Sequence, residues 1–500
     1  MLLFLYNIDP VIVYLEKRLT GVLLYKYPVA GPTLPNQEAL PALEDKYTIK
    51  GYADDLKPVI KSMAEFVMID KVVGVFESAS GCAIHRDPTQ DKCKVLLLGG
   101  WKRLQQDDIP INYIRISDHL DMLGFTLMAT FTKTRKANGD AVQSKFRSTI
   151  GPWRAGRFMA LTLRSPSLNT YALPKIWFKS HSMEYRAGDV SFFNKQMQSW
   201  LFADMLEKPT DLVKYRSANE GGLSLHHIKT KCTAILIKSF METSCNVKFA
   251  HSQYHQALLE WNVHNKRDIP EPIQSPYYTQ EMYNIIQSAI SKNMLVGTML
   301  TKDWYDFILS SLLYEPGTES LIPCRVEIRN PLNDWSKSWS LARLKGLSSD
   351  SSTFLWQLLH QLLLVRERLE RFLPNVNSSA CQACDTGAVD TLSHALVTCP
   401  SSSEVFNWML DGLKEFTTDL TAEKVLLLDF TASGHLPHED LPLVWFTAEV
   451  LQRLWRRRRD GRVCRLYEVR AELEAAVNMV RRSQYSDIAV ILDLMLIDRQ

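Results

Sequence analysis

No run of about 18 uncharged apolar residues occurs in this 500-residue chain, so no membrane-spanning helix is expected. The apolar start, M-L-L-F-L-Y-N-I-D-P, lacks a basic flank, is interrupted by Asp9, and leads to no small-residue cleavage site; it does not read as a signal peptide. Internal repeats are absent, which excludes a repeat array. A charge excess is nearly absent too: the formal net charge is +3, so the overall balance says little about partners and only local clustering is informative. Nine cysteines are too few for a disulfide framework at this length. Six of them, Cys82, Cys93, Cys232, Cys245, Cys324 and Cys464, are scattered. That usage points to a reducing compartment, and hence to an intracellular protein of the nucleus and/or cytoplasm. With 46% hydrophobic and 23% charged residues, the chain is globular and long enough for two to four domains.

The other three cysteines stand with a histidine. Cys381, Cys384, His394 and Cys399 form C-x2-C-x9-H-x4-C. A two-residue gap lets Cys381 and Cys384 face one ion from a tight turn, and the second pair closes the loop. Three thiolates and one imidazole suit a closed, tetrahedral structural Zn²⁺ site with no position left for water.

A second chemical signal is the sequence G-Y-A-D-D at residues 51–55. It joins two β-leaning stretches, residues 46–50 and 56–60, and reads as a hairpin tip. Asp54 and Asp55 on such a tip suit Mg²⁺, which takes hard oxygen ligands beside a reacting phosphate. Asp pairs are also common in plain solvated turns.

Charge is concentrated in two places. Between Lys133 and Lys179 lie ten cations and a single acid, Asp140. The cations are Lys133, Arg135, Lys136, Lys145, Arg147, Arg154, Arg157, Arg164, Lys175 and Lys179. Trp153, Phe158, Tyr171, Trp177 and Phe178 are interleaved with them. Cations neutralise phosphates and aromatic rings stack on bases, so this composition suits nucleic acid; a solvated helix face over core aromatics gives the same composition. The second place is Arg456, Arg457, Arg458 and Arg459, for which a solvated helix face, nucleic-acid contact and a nuclear-localisation patch all remain open. Trp335, Trp339 and Trp356 are read as core packing.

Periodicity predicts helix from Pro58 to Ala79, stopped at Ser80-Gly81, and an amphipathic helix from Phe354 to Phe372. Strands are predicted at residues 95–99 and 122–127. A long C-terminal helix is predicted to carry the arginine run. The fold class is α+β.

Several blocks, in order, resemble the open reading frame of non-LTR (LINE-type) retrotransposons. G-Y-A-D-D resembles the metal-binding motif of reverse transcriptases. Residues 1–12 resemble the tail of the palm helix before the catalytic hairpin. A-S-G-C-A-I-H at 79–85, followed by D-K-C-K at 91–94, resembles the segment bearing a palm lysine. H-L-D-M-L-G-F-T-L at 119–127 resembles the primer-grip turn. W-R-A-G-R at 153–157 and L-P-K-I-W-F at 173–178 are similar to the thumb, and G-G-L-S-L at 221–225 to a block downstream of it. F-L-W-Q-L-L-H at 354–360, with the cysteine pair and T-L-S-H-x4-C, resembles the zinc region that follows such polymerases.

The resemblance implies a partial palm over 1–130, a basic helical thumb over 131–250, a helical connector over 251–330, a tryptophan-rich zinc-binding region over 331–425 and a basic helical tail over 426–500. It implies two-metal nucleotidyl transfer, with Asp54 as Mg²⁺ ligand, Asp55 its acidic neighbour, Tyr52 beside the primer end and Lys92 as general acid to pyrophosphate. The implied partners are an RNA template and a DNA primer or target DNA. His85 stands where the family usually has Asn. The family also needs a third carboxylate on an earlier palm strand, and Asp9, Glu16, Glu38, Glu44 and Asp45 do not sit in such a strand. The expectation is therefore the C-terminal part of a reverse transcriptase that does not polymerise alone. The alternatives are a non-catalytic RNA- or DNA-binding protein of retrotransposon origin and a decaying open reading frame.

Overall fold

A computed structural model describes residues 55–80, 92–153, 159–203, 212–245, 280–315, 320–376, 378–417, 419–430 and 440–496. Shorter pieces are described at 14–15, 17–19, 22–23, 46–47, 49–52, 86–87, 205 and 208–210. As expected, the class is α+β: mostly helix, with four two-stranded sheets among the described residues. The described residues fall into two compact units. One is drawn from 1–143, 177–189 and 232–305, the other from 144–176, 190–231 and 306–500.

In the first unit the strands Ile49–Tyr52 and Asp55–Pro58 pair antiparallel, with Tyr52 opposite Asp55. The stretches on either side of the acids are thus paired strands, as the hairpin reading expects. The next helix runs Met63–Ser80, starting a few residues later than periodicity suggested because Ser62 and Glu65 form its start. Ser62 Oγ accepts from Glu65 N (3.3 Å), and Glu65 Oε2 accepts from Ser62 N (3.3 Å) and Lys61 N (2.6 Å). This reciprocal capping satisfies amide groups that have no intrahelical partner. Phe66 from this helix packs with Leu97, Ile109 and Ile111.

The strand expected at 95–99 is Lys94–Leu96, paired in parallel with Arg115–Ser117. The one at 122–127 is a hairpin, His119–Met122 against Phe125–Met128. Its two-residue turn, Leu123 (φ 51°) and Gly124 (φ 77°), has the left-handed pair that matches strand twist. Asn138, fully buried on the helix Phe131–Trp153, holds this hairpin. Its amide donates to the Thr126 carbonyl (2.7 Å) and its oxygen accepts from Thr126 N (3.0 Å) and Lys179 Nζ (2.6 Å).

In the second unit the fixed point is Gly221-Gly222. Gly221 has φ +76°, and a Cβ there would stand 2.5 Å from the Trp339 ring; a Cβ on Gly222 would stand 2.0 Å from the Arg216 carbonyl oxygen. Only glycine allows both the turn and the close approach. The Gly221 carbonyl then accepts from Trp356 Nε1 and His360 Nε2, both at 2.8 Å. Trp335, Trp339 and His360 stack in succession, and Trp356 packs against His360 at a tilt. Trp339 and Trp356 are buried, as the core reading expects. Beneath them Arg216 is paired with Glu327 (3.1 Å), which also accepts from Trp339 Nε1 (3.1 Å) and Cys324 N (2.6 Å).

Two helix expectations are corrected. Residues 354–372 are two helices, Ser349–Leu359 and Arg366–Phe372. The first ends where Gln361 takes φ +54°, with Leu362 N bonded to the Gln357 carbonyl and Gln361 N to that of Leu358. This is the crossed pair of bonds that closes a helix on a left-handed residue. The C-terminal helix is likewise divided, into Asp440–Arg459 and Leu466–Arg481, at Gly461 (φ +68°). Asp440–Arg459 is nearly all buried from Leu441 to Leu454 and packs on Ser349–Leu359.

Burial between the indoles pushes the His360 imidazole down to about 4 from an ordinary value of about 6.5. The native ring is therefore neutral at pH 5, while the unfolded chain takes up a proton below about pH 6.5. His360 thus contributes stability that is present above pH 6.5 and lost as pH falls toward 4, by at most about 3 kcal/mol, less the discount for partial exposure of the ring. Denaturant unfolding of His360→Gln across this window is expected to show a shallower fall of stability with acid than the wild type. An identical slope would contradict this.

Candidate metal centre and basic surfaces

Cys381 and Cys384 lie on a small loop closed by pairing of Ala380 with Val389 and by a bond from Cys381 N to the Ala388 carbonyl (2.8 Å). His394 and Cys399 bracket a single wide turn, His394–Thr398, in which Cys399 N bonds the His394 carbonyl (2.8 Å). A five-residue bond brings side chains at i and i+5 to the same side, which explains the x4 spacing. The helix Ser403–Lys414 follows at once.

The four ligand atoms all lie within 4.8 Å of one another. Cys381 Sγ and Cys399 Sγ are 3.8 Å apart, and Cys384 Sγ and His394 Nε2 are 3.4 Å apart. Zinc bonds of about 2.3 Å to sulfur and about 2.0–2.1 Å to nitrogen imply tetrahedral edges of about 3.8 Å between sulfurs and about 3.6 Å from sulfur to nitrogen. The residues present therefore fit zinc. His394 turns Nε2 inward because Nδ1 meets the Thr398 hydroxyl (3.2 Å), the kind of outer contact that fixes a ligand imidazole. The hydroxyls of Thr386 and Ser401 stand 3.0 Å and 3.1 Å from the sulfurs of Cys384 and Cys399. Contacts with the Thr386 side chain, and then its backbone, pull the Cys384 thiol down to about 6, whereas burial pushes Cys381 up. Such a centre is structural: all four positions are taken by protein.

The other site residues are placed as follows. Tyr52 and Asp55 are backbone register partners in the paired strands. Asp54, Arg154 and Arg157 lie outside the described residues. Lys92 is exposed ahead of the strand Lys94–Leu96.

The basic segment divides. Lys133 and Lys136 are exposed in the first unit, and Lys145 and Arg147 in the second, where Arg147 lies 5.1 Å over the Phe192 ring. Arg135 is drawn inward, donating to the carbonyls of Glu184 (2.6 Å) and Tyr185 (2.8 Å). Arg164 is buried and donates to the carbonyls of Met159 (2.8 Å) and Leu201 (3.0 Å). Lys179 is buried on Asn138. Composition alone counted these three with the surface cations.

The arginine run divides the same way. Arg457 is ion-paired with Glu468 and with Glu472 (2.5 Å). Arg458 is paired with Asp390 and turned onto the cysteine cluster. Arg456 and Arg459 are exposed. Sequence reasoning missed Asp390 and Thr398. No spacing rule marks either, because neither binds metal itself.

A family model described as zinc-binding in reverse transcriptase matches residues 326–406. No curated protein matches the chain. Residues 326–406, which contain all four ligands, are thus a reverse-transcriptase-related zinc-binding region. Cys384→Ala is expected to abolish zinc binding and to loosen residues 375–405, read by elemental analysis and amide exchange. Undiminished zinc in that variant would contradict the ligand set.

Proposed function

We propose that the chain acts in reverse transcription by a non-LTR (LINE-type) retrotransposon. It would supply a palm hairpin, a basic thumb and a zinc region that hold an RNA template with a DNA primer or target DNA, in the nucleus and/or cytoplasm. The observation that carries this reading is the zinc-binding region at 326–406, lying downstream of a Y-A-D-D sequence whose flanking strands pair as a hairpin. On this reading residues 1–130 are palm, 131–250 thumb, 251–330 connector and 426–500 a basic tail.

The chemistry is nucleotidyl transfer by two Mg²⁺ ions, one activating the primer hydroxyl and one steadying pyrophosphate. Asp54 and Asp55 would hold the metal, Tyr52 would lie beside the primer end, and Lys92 would supply the proton to the leaving group. A two-metal site needs a further carboxylate, and the acids that precede Asp54 in this sequence do not offer one in a strand pattern.

A second reading has its own support: a nucleic-acid grip that works without the chemistry. Lys133, Lys136, Lys145, Arg147, Arg456 and Arg459 are exposed, as phosphate contacts require. RNA of this kind is held through backbone, shape and stacking more than through base edges.

Both readings require salt-dependent RNA binding, with each phosphate-contacting cation adding about 0.7–0.9 to the slope of log K against log salt. Glutamine at Lys133, Lys136, Lys145 and Arg147 together is expected to weaken binding across sequences and to lower the slope by about 1 for each true contact. Binding that ignores salt, or a slope unchanged by the fourfold variant, would contradict the grip. Robust Mg²⁺-dependent primer extension by the chain, lost in Asp54→Asn, would favour the catalytic reading over the grip alone.

A further inference from the structure

Arg458 lies well beyond the zinc-region match, on the helix Asp440–Arg459. Its Nη2 donates to Cys381 Sγ (3.0 Å) and its Nη1 points at Cys399 Sγ (3.6 Å). Nη2 also donates to Asp390 Oδ1. Asp390 is buried, and its other oxygen accepts from Arg366 N (2.9 Å). The Arg458 side chain is itself only 11% exposed. One guanidinium thus bridges two of the three cysteine sulfurs and a carboxylate fixed by the zinc region's own backbone.

We propose that Arg458 is an outer-shell positioning residue of the zinc centre, donating charge-assisted hydrogen bonds to the thiolates of Cys381 and Cys399 and docking the arginine helix onto the metal loop. The inference rests on the zinc reading of the four ligands. Zn²⁺ with three thiolates and a neutral imidazole carries a net charge of −1, and a buried anion of this kind needs a nearby cation. Hydrogen bonds to thiolate sulfur draw electron density from it. They make the sulfur less basic and less nucleophilic, and so slow its protonation, its alkylation and the loss of the metal. Arginine suits the position because its planar fork presents several donors at once, so one residue can reach both sulfurs and the carboxylate; a lysine offers one compact charge. The arginine run is then not one patch. Arg458 belongs to the metal centre and Arg457 to the ion pairs with Glu468 and Glu472.

The test uses the full chain. Zinc transfer to a chelator, thiol alkylation, and the thiolate-to-metal charge-transfer band of the Co²⁺-substituted protein are measured for wild type, Arg458→Met, Arg458→Lys and, as a control on the exposed end of the same segment, Arg462→Gln. Loss of an outer-shell partner is expected to speed zinc transfer about 10- to 100-fold in Arg458→Met. Alkylation should quicken and the Co²⁺ charge-transfer band should move to lower energy. Arg458→Lys should fall between, and Arg462→Gln should match wild type. The band position separates an effect on the sulfurs from a general loosening of the fold, and Arg458→Lys keeps the test open where Arg458→Met does not fold. Wild-type rates and an unshifted band in both Arg458 variants would overturn the role of Arg458 while leaving the zinc site standing. A wild-type chain without one tightly held zinc would overturn the zinc reading itself.

Discussion

Three sulfurs and an imidazole nitrogen within 4.8 Å of one another are the constraint around which the C-terminal part of this chain is arranged. Thiolates crowd together in a protein interior only when a cation stands among them, because each buried charge costs several kcal/mol unless compensated. A metal at their centre turns that cost into a cross-link between the loop of Cys381 and Cys384 and the wide turn from His394 to Cys399. Binding free energy of such a site becomes folding free energy. It orders a segment, residues 378–402, that has little apolar side chain of its own apart from Ala395, Leu396 and their neighbours.

The cross-link reaches further than its ligands. Arg458 brings the helix Asp440–Arg459 to the sulfurs, and that helix packs through its buried apolar length on Ser349–Leu359. Ser349–Leu359 in turn carries Trp356, which with His360 holds the Gly221 carbonyl. Within the second unit, the metal loop, the arginine helix and the tryptophan stack therefore form one connected set of contacts. The G-G-L-S-L sequence has a physical reason in this set: Gly221 must turn left-handed beneath an indole, and Gly222 must pass against a backbone carbonyl.

What could be read from the sequence was whatever depends on short-range chemistry. The zinc spacing and the paired strands around Tyr52 and Asp55 are each fixed by residues within a few positions of one another. The Ser62–Glu65 cap of the helix Met63–Ser80 and the Leu123-Gly124 turn are just as local, yet periodicity began the helix at Pro58 and ran one strand across 122–127. What was illegible depends on partners far along the chain. Gln361 ends a helix without the glycine that usually marks such an end, in a left-handed turn closed by crossed backbone bonds, next to a His360 held on Trp339 and Gly221 from far along the chain. Arg135, Arg164 and Lys179 look like surface charge in a basic stretch but satisfy carbonyl and amide oxygens inside the fold. Arg457 and Arg458 look the same as Arg456 and Arg459 in a run of four. Only the acids at Asp390, Glu468 and Glu472, supplied by other elements, separate the internal pair from the exposed pair.

The most direct test of the central claim is X-ray absorption at the zinc edge on the purified chain. One zinc per chain, with three sulfur neighbours at about 2.3 Å and one nitrogen neighbour at about 2.0–2.1 Å, is the result this account predicts. A chain without zinc, or zinc surrounded by oxygen and nitrogen with fewer than three sulfurs, would contradict it.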